Sequence, residues 1–186
     1  MTFRVDLEKH EYHLGDDRLI SITDCLRTSG LIDVSWATDF DLWVGTATHR
    51  AIELYNKGTL DLDTLDPDLR NRIDAWQEFL NQTGFKPKES EKSVYSPILR
   101  VAGTLDVLGD FPDGAEGIVE VKSGNVAKWC ALQTAGQDIL LGGKRRRRFG
   151  LKVPKFGKAV VTSHRNADDY AVFMACVTVA HWKMAN

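Results

Sequence analysis

The stretch that decides the fold is Gly103-Thr104-Leu105-Asp106, followed after a turn by Ile118-Val119-Glu120-Val121-Lys122. Apolar residues recur at about every second position here, which predicts β-strands rather than helices. In the second strand this alternation places Glu120 and Lys122 on one face and valines on the other. Pairing of the two strands would bring Asp106 beside Glu120. The sequence therefore predicts two carboxylates and one amine close together on a sheet.

This set of side chains suits chemistry on a phosphate. Two carboxylates on rigid strands are the oxygen ligands that Mg²⁺ or Mn²⁺ prefers. A lysine beside such an ion can orient an attacking water, help to deprotonate it, and stabilise negative charge on the phosphate. Taken singly, each residue is typical of a solvated strand face, and a Glu/Lys pair is typical of a weak ion pair. The whole pattern, with Asp106 shortly after a glycine and E-x-K fourteen positions later, is more specific than any one of these residues.

Helical patterns surround these strands. Apolar residues at three- and four-residue spacing and end signals predict helices over residues 39–55, 66–83, 126–141 and 168–184, a short strand over 158–163, and an amino-terminal hairpin over 3–22. The buried face of the first long helix is predicted to carry Phe40, Trp43, Val44, Ala47, Ala51 and Leu54. The order of elements predicts an α/β fold with a mixed central sheet flanked by helices.

Composition limits the class of protein. With 186 residues and 43% hydrophobic residues, the chain is predicted to form one domain, residues 1–186. We expect an intracellular, cytoplasmic protein with no membrane association, because no apolar run has the length of a membrane span and the opening residues do not resemble an export signal. Cys25, Cys130 and Cys176 are too few and too far apart for a disulfide framework or a zinc site, so we expect core thiols.

A basic segment follows the third long helix. Residues 144–165 carry nine Lys or Arg residues and no acid, although the whole chain has a formal net charge of −2. Such a run is typical either of a solvated loop or of a surface that binds phosphates. If phosphates are the ligand, we expect this loop to bind them without reading a sequence. The phosphate-contacting residues predicted here are Lys144, Arg145, Arg146, Arg147, Arg148, Lys152 and Lys155.

The ordered motifs resemble those of the PD-(D/E)XK nuclease superfamily, in particular its RecB-like branch, which includes phage exonucleases, CRISPR adaptation nucleases and a mitochondrial genome-maintenance exonuclease. The matching features are G-x-x-D at residues 103–106, E-x-K at 120–122, a glutamine on the next helix, Gln133, and a histidine on an upstream helix, His49. The resemblance covers about residues 40–140. It implies a restriction-endonuclease-like core.

The resemblance also assigns roles to residues. It implies that His49, Asp106, Glu120 and the backbone carbonyl of Val121 bind one or two Mg²⁺ or Mn²⁺ ions. It implies that Lys122 is the catalytic lysine, that Gln133 braces the site or the phosphate, and that Glu91 is an accessory acid. The implied activity is metal-dependent hydrolysis of DNA, by an exonuclease of phage or host replication, recombination or repair. With that activity, we expect the basic loop to clamp the backbone of single-stranded DNA or of a DNA end. A recombination or single-strand-binding protein is the kind of partner such enzymes have.

The match is incomplete, and other interpretations stay open. Gln137 stands four positions after Gln133, where the branch often has an aromatic residue. Some relatives carry an iron–sulfur cluster on four cysteines, and we predict no cluster for a chain with three. His49 alone is more typical of a packing residue than of a ligand. The alternatives are a sequence- or structure-specific endonuclease on the same fold, an inactive nucleic-acid-binding protein, and an interaction module with a chance E-x-K.

Overall fold

The computed structural model describes residues 1–6, 9, 11–32 and 38–186. Its strands are β1 (Phe3–Asp6), β2 (Glu11–Leu14), β3 (Asp17–Ser21), β4 (Lys86–Ser96), β5 (Val101–Asp110), β6 (Glu116–Lys122), β7 (Arg147–Lys152) and β8 (Val160–Ser163). Its helices are α1 (Ile22–Thr28), α2 (Asp39–Asn56), α3 (Pro67–Thr83), α4 (Cys130–Leu141) and α5 (Asp168–Ala185).

The eight strands form one mixed sheet, with the order β1-β2-β3-β5-β6-β7-β8 and β4 paired to β5. Strand β4 pairs with β5 over its whole length, so it covers one edge of β5. The other edge is shared: β3 pairs with Val101 and Ala102, and β6 pairs with residues 107–110. Because these two partners diverge, residues 103–106 lie in a gap in the sheet. Asp106 therefore borders an opening rather than a continuous ladder.

Helices cover both faces of the sheet. On one face α2 and α3 pack Ile52, Ile73 and Trp76 against Val107 and Val119. On the other face lie α1, α4 and α5, whose largest buried side chain is Phe173. Helix α3 begins at Pro67 after the capping Asp66 and ends at Gly84, whose left-handed backbone (φ 64°) suits glycine. All three cysteines are buried, as expected of core thiols.

Two helical predictions need correction. In α2 only the second half of the predicted apolar face is buried, since Phe40 and Trp43 are 66% and 60% exposed whereas Ala51 lies in the core, and burial begins at Thr48. The first five residues of α2 are all exposed to solvent. Helix α4 begins at Cys130 rather than Val126, because Val126 packs against the bare backbone of Gly150 in β7. Among the described helices, none has the length and hydropathy needed to cross a membrane.

Candidate active site

The strand alternation is interrupted at Asp106. Leu105 packs toward α4, whereas Val107, two residues later, packs toward α3 on the opposite face. Glu91 lies opposite this point on β4, between Ser90, which pairs with Val107, and the residue that pairs with Leu105. Glu91 has a φ of 52°, a left-handed conformation that costs a non-glycine residue energy and is commonest at functional sites. The local break turns two carboxylates toward the gap in the sheet.

Helix α2 brings a histidine to these carboxylates. The His49 Nδ1 atom lies 3.3 Å from Glu91 Oε1 and 3.3 Å from Asp106 Oδ1. One possible ligand atom from each of the three residues lies within 4.8 Å of the other two. Asp106 is held from behind, because its Oδ2 accepts a hydrogen bond of 2.6 Å from the backbone N–H of Val121. Two carboxylates and an imidazole at this spacing form a candidate site for a divalent metal ion.

The environment of His49 favours its charged form. Burial alone would lower the pKa of His49, but the charge of Asp106 and hydrogen bonds with Asp106 and Glu91 outweigh it, so the pKa is raised well above its usual value. Without a cation, the imidazolium therefore neutralises part of the carboxylate charge. A metal ion would take over this role, since it binds only the neutral ring.

Glu120 and Lys122 form the second half of the site. Lys122 Nζ donates a hydrogen bond of 2.6 Å to Glu120 Oε1, and the Gln137 side chain donates one of 2.8 Å to Glu120 Oε2. Gln137 also donates to the backbone carbonyl of Thr104 in the gap, at 3.1 Å. Both Glu120 oxygens therefore have partners, and the carboxylate is almost fully buried (1% exposed).

Charge coupling links the two halves. Burial and the charge of Asp106 raise the pKa of Glu120, against the opposing effect of Lys122. Burial alone would lower the pKa of Lys122, but the charges of Glu120 and Asp106 raise it above its usual value. Lys122 is accordingly an ammonium group at neutral pH. It can donate hydrogen bonds and stabilise negative charge, but it is a poor proton acceptor.

All of these side chains face one pocket of about 290 Å³. Its lining includes His49, Glu91, Asp106, Glu120, Lys122, Gln133 and Gln137. Gln133 projects from α4 one turn before Gln137, and its Oε1 atom is buried without a hydrogen-bond partner among the described residues. An unsatisfied buried polar atom in a pocket is a group available to a ligand.

The pocket is lined by every side chain that the sequence motifs predict for the site. It is also lined by Glu91, which was predicted only as an accessory acid, and by Gln137, to which no role was assigned. Glu91, expected only as an accessory acid, belongs to the three-residue cluster, and Gln137 binds Glu120 directly. Glu120 is not part of that cluster. No sequence signal marks the left-handed backbone of Glu91. The i, i+4 spacing of the two glutamines on one helix was a signal available for Gln137.

The basic segment is not the expected loop, because residues 147–152 form strand β7 and residues 160–163 form strand β8. Arg148 points into the protein, is 4% exposed and binds Asp169 at 2.9 Å. Arg146 binds Glu116 and Asp138 with little exposure. Lys144, Arg145, Arg147 and Lys155 are exposed, whereas Lys152 is half-buried and bonded to Asn125.

Replacing Arg148 should destabilise the protein far more than replacing Arg147. Arg148 donates to the carbonyls of Ala131 and Asn166 as well as to Asp169, so Arg148→Met leaves a buried carboxylate unpaired. We expect a loss of about 3–5 kcal/mol in the free energy of unfolding. Arg147→Met removes an exposed pair with Asp113 and should cost at most about 1 kcal/mol. Urea denaturation of both variants measures the free energy of unfolding. Equal losses in the two variants would contradict the prediction that Arg148 stabilises the fold more than Arg147.

His164 should make stability depend on pH. Burial, together with the nearby Arg148 charge, lowers the pKa of His164 from 6.5, while Asp169 and Glu120 oppose the change. Because the folded pKa is below the unfolded one, the stabilisation is complete above about pH 6.5 and is lost as the pH falls toward the folded pKa. In His164→Gln the slope of unfolding free energy against pH should flatten over this window. An unchanged slope would show that His164 does not titrate with folding.

Comparison with known proteins shows the fold. No protein-family model and no curated protein matches the sequence. The crystal structure of "Putative exonuclease" from Eubacterium rectale matches with a TM-score of 0.57 and 10% identity, over 90% of this chain and 80% of that one. LHK-Exo in complex with dAMP matches with a TM-score of 0.43 and 13% identity, over 90% of this chain and 88% of that one. The first likeness confirms the predicted restriction-endonuclease-like α/β fold, with a mixed central sheet flanked by helices.

Proposed function

We propose that the protein is a metal-dependent deoxyribonuclease that hydrolyses phosphodiester bonds from DNA ends. One observation carries the proposal: His49, Glu91 and Asp106 converge within metal-binding distance in the same pocket as the Glu120–Lys122 pair. The fold is shared with a protein named as an exonuclease, which supports the same activity.

The donor set fits Mg²⁺ or Mn²⁺. His49, Glu91 and Asp106 would hold the ion, and Glu120, which lines the same pocket, and the Val121 carbonyl are proposed as further ligands. We propose that the site holds one or two ions. Glu120 can bind an ion only if one of its oxygens gives up its hydrogen bond with Lys122 or Gln137. When bound, a divalent ion supplies Lewis-acid polarisation of the phosphate and lowers the pKa of a bound water.

The protein's own side chains would prepare the phosphate for attack. The Lys122 ammonium, fixed by Glu120, is placed to hold the attacking water by a hydrogen bond and to stabilise charge that develops on the phosphate oxygens. The unpartnered Oε1 of Gln133 can accept a hydrogen bond from a water beside the phosphate, and its NH₂ group can donate one to a phosphate oxygen. Gln137 keeps the Glu120 carboxylate oriented through its two hydrogen bonds.

The exposed cations of the basic segment are proposed contacts to the DNA backbone. They are Lys144, Arg145, Arg147 and Lys155, to which we add the half-buried Lys152. Arg146 and Arg148 are left out because their guanidinium groups already bind buried carboxylates. Each lost phosphate contact reduces the salt dependence of DNA binding by about one unit of slope. If replacing Lys144, Arg145 and Arg147 by alanine leaves that slope unchanged, the DNA path lies elsewhere.

The activity test uses end-labelled linear DNA and closed circular DNA, each single- and double-stranded, incubated with Mn²⁺ and then with excess EDTA. An exonuclease degrades the linear molecules and leaves the circles intact, and EDTA stops it. Cleavage of circles would favour the endonuclease alternative. DNA binding without cleavage in Mn²⁺ would indicate an inactive nucleic-acid-binding protein and overturn the proposal.

A further inference from the structure

A tryptophan lies beside the proposed catalytic lysine. Trp129, at the amino end of α4, places its ring with the centroid 5.3 Å from Lys122 Nζ. The ring is half-buried and packs against the core cluster between α1, α4 and α5, so the backbone of α4 and this cluster fix its position. Trp129 precedes Gln133 by four residues, which puts both on the same face of the helix.

Lys122 needs a second restraint besides Glu120. A lysine ammonium ends a flexible four-carbon chain with many rotamers, and a single hydrogen bond to Glu120 Oε1 fixes only its distance from that carboxylate. The ring of Trp129 faces the same ammonium and attracts it through its negative π face. This attraction is strongest where water is excluded, and the Lys122 side chain is only 22% exposed. The ammonium is thus held between a carboxylate and a ring.

We infer that Trp129 is a positioning residue that holds the Lys122 ammonium over the Glu120 carboxylate in the orientation needed for catalysis. The inference rests on the proposed nuclease function and assigns a role to a residue outside the metal cluster. It predicts that the ring acts on the chemical step rather than on DNA affinity, because the ring already contacts the Lys122 ammonium.

The ring could instead stack on a base of the substrate, and kinetics separate the two roles. A stacking platform contributes to substrate binding, so its loss raises KM. A positioning residue contributes through the orientation of Lys122, so its loss lowers kcat at nearly constant KM. A smaller aromatic ring should restore much of the positioning effect, whereas an aliphatic side chain of similar bulk should not.

The experiment compares Trp129→Leu, Trp129→Phe and, as a matched control, Trp182→Leu on the exposed face of α5. We expect kcat to fall about tenfold in Trp129→Leu, equivalent to about 1.4 kcal/mol, with KM within twofold. Trp129→Phe should recover at least a third of the wild-type kcat, and the control should match the wild type. A raised KM with unchanged kcat, or equal losses in the Leu and Phe variants, would overturn the inference.

A second measurement is independent of activity. In protein labelled with ¹³C-lysine, the Lys122 Cε–Hε signal, assigned by its loss in Lys122→Met, should be shifted by the ring current of Trp129. In Trp129→Leu the Lys122 signal should move toward the signals of the other lysines. In Trp129→Phe it should keep part of its displacement. A wild-type signal among those of exposed lysines would contradict the inference even if the protein is an active nuclease. Absence of cleavage by the wild type, with a shifted signal, would count against the proposed function alone.

Discussion

Lys122→Met should reduce DNA cleavage by about 10²–10³-fold while leaving DNA binding within about threefold of the wild type. The Lys122 ammonium is the cation in the pocket placed to stabilise charge on a phosphate, and loss of one preorganised donor costs about this factor in kcat. Methionine keeps most of the length and apolar packing of the lysine stem. The measurement is single-turnover cleavage of end-labelled linear DNA in Mn²⁺, with binding measured in Ca²⁺.

The control for this prediction is Lys128→Met, six residues later in the same β6–α4 connection, where the lysine is exposed. It makes the same change in net charge, so equal losses in both variants would indicate a general electrostatic effect. Removing Lys122 also leaves Glu120 without its cation, which favours protonation of that buried carboxyl. A thermal melt shows whether the variant is folded. A folded Lys122→Met protein that keeps more than a tenth of the wild-type rate would exclude the catalytic role.

The sheet and its helices could be predicted because their signals are local. Alternation of valines around Glu120, and the end signals at Asp66 and Gly84, depend only on neighbours in the sequence. The candidate site was predictable in part for the same reason, since G-x-x-D and E-x-K lie on adjacent strands. His49 lies on a different element, and its relation to Asp106 came from motif order rather than from any local pattern.

The features that were missed or given too little weight depend on tertiary structure. Glu91 reaches the cluster because it lies opposite Asp106 with a left-handed backbone, and nothing in the residues of β4 requires that conformation there. Strand β7 was hidden because arginines occupy its first two positions. Arg148 can be buried only because Asp169, on a helix that begins after β8, neutralises it. In α2 the error is the reverse, because Phe40 and Trp43 were predicted to be buried and are exposed. A helical period of apolar residues predicts which residues share a face, but not whether another element packs against that face.

Asp106→Asn should abolish metal-dependent stabilisation. Asp106 is the residue shared by both halves of the site, because one oxygen faces His49 and its charge acts on Glu120 and Lys122. Asparagine can still accept the hydrogen bond from the Val121 N–H, so the strand geometry should survive. What is lost is the negative charge, and a neutral amide oxygen is a much weaker ligand for a hard cation. Cleavage should fall to background together with metal binding.

The expected size follows from linkage between binding and folding. At a Mn²⁺ concentration about 100 times the Kd, the wild type should gain about 2.7 kcal/mol, which for a chain of this length corresponds to a rise of about 5–10 °C in Tm. Asp106→Asn should show almost none of this rise. Asp110→Asn is the matched control, since Asp110 ends the same strand and pairs with Lys88 away from the pocket. Asp110→Asn should keep the full rise in Tm. If Asp106→Asn keeps it as well, the ion binds elsewhere, and the assignment of His49, Glu91 and Asp106 as its ligands is wrong.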